Sequence, residues 1–307
     1  MAALNILSTV GQRKKICAPA APSPGSRSYD RIVSALLRAG VDPFASAEDL
    51  LYSLRFKPSG LRRPLIGKST KVILGEKYGV KTAITYLAPS LDSGTNLCPF
   101  ASPGCIEGCL KDTGRMGYAS NGIVRLKKSL YYRLFPVQFL EDLAHDIAKL
   151  ERAARRDGFV PAVRLNGTSD ILWEKTGLLE KFPGVKFYDY TKAPLASRPH
   201  LPANYHLTYS VSELPHSMEE ARRWLAAGRN AAVVVSSVGG TNKTHAKRAA
   251  ADLIARDSWE GFPTIDGDQS DVRFNDEPGS WVVLYAKGGS VRDSSGFVRR
   301  IQISEEN

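Results

Sequence analysis

What the chain lacks narrows its class. No stretch approaches the about 18 consecutive apolar residues that a membrane-spanning helix needs, and Met1–Lys15 has neither the apolar block nor the cleavage site of a secretory signal. The expected compartment is therefore cytoplasmic. Cysteine is scarce, four in 307 residues, which excludes a disulfide-stapled scaffold. The five histidines show no His-x-x-x-His or similar spacing, so a histidine-built metal site is not expected. There is no Gly-x-Ser-x-Gly nucleophile elbow, no P-loop spacing and no tandem repeat. What remains is an ordinary globular composition, 43% hydrophobic and 24% charged, able to bury a sizeable core.

Basic residues outnumber acidic ones 42 to 31, giving a formal charge of +11. Most of the excess lies in Leu51–Lys81, where Arg55, Lys57, Arg62, Arg63, Lys68, Lys71, Lys77 and Lys81 face a lone Glu76. Such a sector can attract nucleic acid or a nucleotide nonspecifically, the alternative being a solvated positive face with no dedicated partner. Upstream, Ala18–Ser28 is rich in Pro, Ala and Ser, so residues 1–28 read as a flexible basic arm. Residues 29–67 read as a helical lead-in carrying the start of the basic sector. Ile32, Val33, Leu36 and Leu37 fall at helical spacing, and Ser46 with Asp49 makes a capping pattern before Leu50–Leu54.

From residue 68 to 307 short β-branched or aromatic runs alternate with helical stretches, the pattern of a parallel α/β domain. The expected strands are Thr82–Leu87, Ala162–Leu165, Lys186–Tyr190, His206–Tyr209, Ala231–Ser236, Thr264–Asp266 and Trp281–Tyr285. Helices are expected at Gly122–Leu134, Pro136–Arg156, Ile171–Lys181, Ser217–Ala227 and Lys243–Arg256. Seven strands in series with intervening helices predict a complete or partial (β/α) TIM-like barrel behind a short helical N-terminal extension. In such folds ligands gather at the carboxyl ends of the strands, where loops vary above a rigid sheet. Here those ends run into polar segments. On that ground Asp170, Asp189 and Lys192 are candidate catalytic groups. Asn166, Thr168, Ser210, Ser236 and Asp268 are candidate cofactor contacts.

Cys98, Cys105 and Cys109 are crowded into one loop, with six residues between the first pair and three between the second. Thiolates are soft donors suited to iron–sulfur clusters, zinc or copper, and Gly104, Gly108 and two prolines let a short loop wrap a metal. Three thiolates leave one position open, whereas a structural zinc site takes four protein ligands. No cysteine pair follows downstream, and Cys17 falls in the arm. The loop comes after the first clear strand, so it is expected at the carboxyl face, where a catalytic metal belongs.

The segments Asn96–Gly117, Ala162–Asp170, Phe187–Lys192, Asn204–Ser210 and Asp266–Gly296 resemble the phage gene product 88 family, which is related to radical S-adenosylmethionine (SAM) proteins. The resemblance spans roughly 68–298 and implies that Cys98, Cys105 and Cys109 ligate a [4Fe–4S] cluster whose open iron takes the amino and carboxylate groups of SAM. It implies in turn radical chemistry on an unknown substrate, a reduced electron-donor partner and, for a phage-encoded chain, the host cytoplasm. The cysteine spacing departs from the three-and-two pattern of most radical SAM enzymes. No Gly-Gly-Glu element follows the second strand, where Asn166-Gly167-Thr168 stands instead.

Two other readings compete. A nucleic-acid-binding protein could carry structural zinc on the cysteine loop. A Mg²⁺-dependent phosphodiesterase could use Asp266, Asp268 and Asp271, although an Asp/Gly turn explains that cluster equally. Gly239–Thr244, between a strand and a helix, suits an anion or simply a turn.

Overall fold

The structure is a computed structural model that describes residues 25–68 and 75–303, together with Ser23 and Ile73. Most of the expected arm lies outside these residues. Helix α1 (Arg27–Arg38) starts inside the arm's span, capped by the Ser26 hydroxyl, which accepts from the Tyr29 amide. Helix α2 (Ala47–Arg55) begins at the expected cap, Ser46 accepting from Asp49 N–H at 3.1 Å. Ile32, Ala35 and Leu36 of α1 and Leu50 and Leu54 of α2 are buried, so both helices turn an apolar stripe to the core.

The sheet contains β1 (Ile66–Gly67), β2 (Val80–Thr85), β3 (Val160–Arg164), β4 (Lys186–Thr191), β5 (Tyr205–Ser210), β6 (Asn230–Ser237), β7 (Ser258–Trp259), β8 (Phe262–Asp266), β9 (Trp281–Tyr285) and β10 (Arg299–Ile301). All seven expected strands form, within a few residues of their expected ends. The connecting helices are α3 (Pro103–Glu107), α4 (Ala119–Leu134), α5 (Pro136–Arg156), α6 (Ser217–Ala226) and α7 (Lys243–Ala255). The expected helix over Ile171–Lys181 does not form. Two single 3-10 turns, Trp173–Thr176 and Leu179–Lys181, replace it, because Gly177 takes a left-handed conformation (φ 69°) that no α-helix continues through.

The expected barrel is also overturned. Strand order is β1-β2-β3-β4-β5-β6-β9-β8-β7, with β10 beside β6, and this ten-stranded mixed sheet is open. Strands β2 to β6, β9 and β8 run parallel, while β1 and β7 are antiparallel edges of two residues each. Strand β9 lodges between β6 and β8, so the serial order that would carry the last strand round to the first is broken. Beyond β8 the chain ends the sheet with a hairpin, whose turn residues Glu260 (φ 53°) and Gly261 (φ 82°) both take the positive φ that a tight two-residue turn requires. Seven strands in series are compatible with closure or with an open sheet, and the hydrophobic pattern does not encode their lateral order.

Side chains alternate between faces with period two. Val163, Phe187, Leu207, Val233 and Val283 join the main core, which also takes side chains from α1, α2 and α4 to α7. On the other face Val80, Ala162 and Tyr188 pack with Val272 and Phe274 from the segment after β8. That segment also places Asp271 on Arg164 at 2.8 Å, beneath which lie the rings of Tyr188 and Tyr190. Much of the basic sector is neutralised internally. Arg55 grips Asp142 of α5 through two nitrogens at 2.8 and 2.9 Å, Arg62 pairs with Asp146, Lys81 with Asp157 and Lys68 with Glu76. Among the described residues no helix is long and apolar enough to cross a membrane.

Candidate metal centre at the carboxyl edge of the sheet

The cysteine loop leaves the carboxyl end of β2 and is fastened to the segments that leave β3 and β5. Asp170 N–H donates to the Leu97 carbonyl at 2.8 Å, drawing the loop onto the polar segment after β3. Cys98 Sγ accepts from Ser90 N–H at 3.3 Å and contacts the Thr168 carbonyl at 3.8 Å. Cys105 sits in α3, whose start is clamped by Glu213 from the loop after β5. That carboxylate accepts from Ser102 Oγ at 2.7 Å and Gly104 N–H at 2.8 Å, while Ser102 Oγ accepts from Cys105 N–H at 3.2 Å. Burial works against the charge on Glu213, yet these donors hold its carboxyl below the usual range. At Gly104 a Cβ would meet Ser295 Oγ and the Glu213 carboxylate, so α3 approaches both loops too closely for a methyl unless those side chains swing aside.

The three sulfurs share one electrostatic neighbourhood. Burial pushes the Cys98 thiol up to about 12, and raises Cys105 and Cys109 in the same direction. Each sulfur also has an opposing influence that favours thiolate: the Ser90 amide at Cys98, the Lys192 ammonium at Cys105, and both the amide and the ammonium of Lys111 at Cys109. Without a cation, burial wins. Among the described residues no three His, Cys, Asp or Glu side chains converge closely enough to hold an ion in the arrangement seen.

Beside the thiols lies a buried charge network. Lys192 donates all three ammonium protons, to Ser210 O (3.0 Å), Ser210 Oγ (3.0 Å) and Val211 O (3.1 Å), under the ring of Phe297 at 4.9 Å. Burial pulls the Lys192 ammonium below its usual range, and the facing Cys105, Asp170 and Glu213 pull it back. Asp170 accepts from Thr191 Oγ1 (2.8 Å), Lys192 N–H (2.9 Å) and Arg198 (3.0 Å), and Arg198 also pairs with Glu174 at 2.9 Å. A cavity of about 310 Å³ adjoins this network, lined in part by Asn96, Leu97, Pro99, Tyr132, Asp170 and Lys175.

A family model described as gene product 88 matches residues 62–301, from just before β1 to the end of β10. The chain belongs to the gene product 88 family. The matched region holds the whole sheet and the cysteine loop, and leaves out α1 and α2. No curated protein and no solved structure matches the chain.

Of the residues singled out from the sequence, this gene product 88 protein brings together Cys98, Cys105, Cys109, Asp170, Lys192, Thr168 and Ser210. Thr168 contributes its carbonyl to Cys98 and ties its hydroxyl to the Leu87 carbonyl. Asn166 is spent on shaping its own loop: Oδ1 accepts from Ser169, Ile171 N–H and Trp173 Nε1, and Nδ2 donates to Ile171 O. Asp189 points to the helix side, where it accepts from Leu165 N–H (3.2 Å), Asn166 N–H (2.8 Å) and Tyr205 Oη (3.0 Å). Ser236 is fully buried, and its hydroxyl lacks a hydrogen-bond partner among the described residues. Asp268 pairs with Lys287 near the ends of β8 and β9, and Asp271 is held by Arg164 on the covered face, so the carboxylates of that segment do not gather around one point. Sequence reasoning missed Arg198, Glu213 and Phe297. Glu213 directly follows the polar segment after β5 and carried a positional signal; Arg198 and Phe297 carried none.

Proposed function

We propose that Cys98, Cys105 and Cys109 hold a [4Fe–4S] cluster and that the protein is a SAM-dependent radical enzyme. The observation that carries this reading is the set of three half-buried soft donors on one loop at the carboxyl edge, each with a neighbour that stabilises the thiolate. Backbone amides donating to Cys98 and Cys109 are the kind of sulfur hydrogen bond that tunes such centres. A bound cation supplies the compensation that the buried thiolates lack, and on this reading it draws the three sulfurs together. When bound, the cluster supplies an open iron for the amino and carboxylate groups of SAM and one-electron cleavage of a carbon–sulfur bond, the electron coming from a reduced partner and methionine leaving.

The protein's own groups prepare the site for that chemistry. Lys192 holds positive charge against Cys105, while its three carbonyl and hydroxyl acceptors fix the ammonium in place. Burial raises the Asp170 carboxyl, and Arg198 opposes that rise by favouring its charged form. Phe297 covers the ammonium and keeps water from it. The adjoining cavity of about 310 Å³ falls within the roughly 300–1,000 Å³ of small-molecule sites.

The test is anaerobic purification followed by iron and sulfide analysis and electron paramagnetic resonance after reduction. About four irons and four sulfides per chain are expected, lost in Cys98→Ala, Cys105→Ala and Cys109→Ala, with release of 5′-deoxyadenosine from SAM under reducing conditions. Zinc in place of iron, or iron retained by the triple variant, overturns the reading.

A further inference from the structure

A cluster of positive charge lies on the same edge of the sheet, at the end of β9. Tyr285 closes β9 with its ring half-buried, and three ammonium groups converge on that ring: Lys287 at 4.5 Å, Lys247 at 5.6 Å and Lys243 at 6.0 Å from its centroid. Lys243 and Lys247 are exposed one turn apart on α7 and have no carboxylate partner among the described residues, whereas Lys287 pairs with Asp268. Farther along the same edge, Arg300 of β10 donates to the carbonyls of Gly240, Val291 and Asp293. It thereby stands beside the turn that leads into α7.

Three positive charges around one aromatic ring, offset by Asp268, form an arrangement that repels itself and that a solvated face does not need. A carboxylate-rich peptide or an anionic lipid surface would use the charges and leave the ring idle. A nucleic-acid strand uses both, its phosphates taking the ammonium groups and a base stacking on the phenol. We infer that Tyr285, Lys243, Lys247 and Lys287 form a binding surface for single-stranded nucleic acid. The inference rests on these contacts and not on the cluster reading. It differs from the partner surface expected at Leu51–Lys81, where four of the eight basic residues pair with Asp142, Asp146, Asp157 and Glu76.

The surface is joined to the thiol pocket by one short segment. Ser295 lies against Gly104 of α3, Phe297 covers Lys192, and Arg300 reaches Gly240.

The experiment is fluorescence anisotropy with labelled single-stranded DNA and RNA oligonucleotides over a salt series. Polyglutamate and anionic phosphatidylserine vesicles serve as competing polyanions, and circular dichroism checks that each variant is folded. Tyr285→Leu is expected to weaken binding about tenfold, in line with the loss of one base–aromatic stack, while Tyr285→Phe retains it. Lys243→Gln with Lys247→Gln should weaken binding and make the slope of log K against log salt shallower by about 1.4, two phosphates' worth on a single strand. Lys57→Gln with Lys77→Gln, in the Leu51–Lys81 sector, should bind as the unaltered protein does. The DNA and RNA arms identify which strand is preferred. Absence of binding to both oligonucleotides, undiminished binding by folded Tyr285→Leu, or polyglutamate or vesicles competing as well as oligonucleotide overturns the inference.

Discussion

Replacing Arg198 by methionine removes the guanidinium that sits between Asp170 and Glu174, at 3.0 and 2.9 Å. The Arg198 side chain is 0% exposed and the two carboxylates 10% and 5%, so solvent screening gives no relief. Breaking a buried pair by deleting one partner costs about 3–5 kcal/mol, because the remaining charge is stranded. Lys192 stays near Asp170 and takes up part of the loss, which places the expected cost at the lower end, about 3 kcal/mol. For a chain of this size about 2 °C of Tm accompanies each kcal/mol, so the variant should melt about 6 °C lower at pH 7.5. The deficit should depend on pH in one direction. Stranded buried carboxylates have folded pKa values above their unfolded ones, so they destabilise when ionised and cease to do so as pH falls through the folded values. The gap between variant and parent is therefore largest above neutrality and narrows toward pH 5. Adding Glu174→Gln removes one stranded charge and should restore part of the Tm. Thermal unfolding followed by circular dichroism at both pH values reads all three effects. A shift under about 2 °C at pH 7.5, or a gap that widens in acid, would refute the reasoning.

Two further outcomes follow from the same structure. Burial pushes Asp189 up to about 7 and Asp276 up to about 6, against about 3.9 for an unfolded aspartate. The folded state thus binds more protons between pH 4 and 7, and stability should fall as pH rises across that window; urea titrations of Asp189→Asn should show a shallower fall, together with about 1–3 kcal/mol lost where its amide meets the Leu165 and Asn166 N–H groups. Gly104→Ala drives a methyl into Ser295 and Glu213 and should displace α3. In the metal-free protein its three half-buried thiols should then react with a disulfide reagent at pH 8 at least about tenfold faster than the slow rate expected of thiols raised by burial; an unchanged rate would mean that the clamp does not shield them.

The strands were legible because each is a short apolar run ending in polar residues; Trp281–Tyr285 was placed to the residue, and the others within a few. The cap at Ser46 and the helix start at Pro136 were equally readable, being local chemistry. Lateral strand order was not, since β9 entering between β6 and β8 depends on pairings among parallel strands that look alike in composition. The two-residue edges β1 and β7 are too short to show any periodicity. At the site, Cys98, Cys105, Cys109, Asp170 and Lys192 were found because they lie within a few residues of a strand end or in one crowded loop. Asp189 misled for an instructive reason: it lies on a strand beside Tyr190 and Lys192, and a change of one residue in alternation sends it to the helix side instead of the rim. Arg198 escaped notice because its role is set entirely by groups brought to it through folding.

The placement of β9 has a consequence for how the polypeptide matures during synthesis. A growing chain that has emerged only as far as Asp266 can assemble β2 to β6, but β8 and its hairpin partner have no parallel neighbour to join. Completion waits for Trp281–Tyr285 to enter the gap from outside, a late, long-range docking that slows the last stage. Ribosome-stalled chains ending before Trp281 should therefore leave the β7–β8 unit open to protease while the earlier strands already resist it.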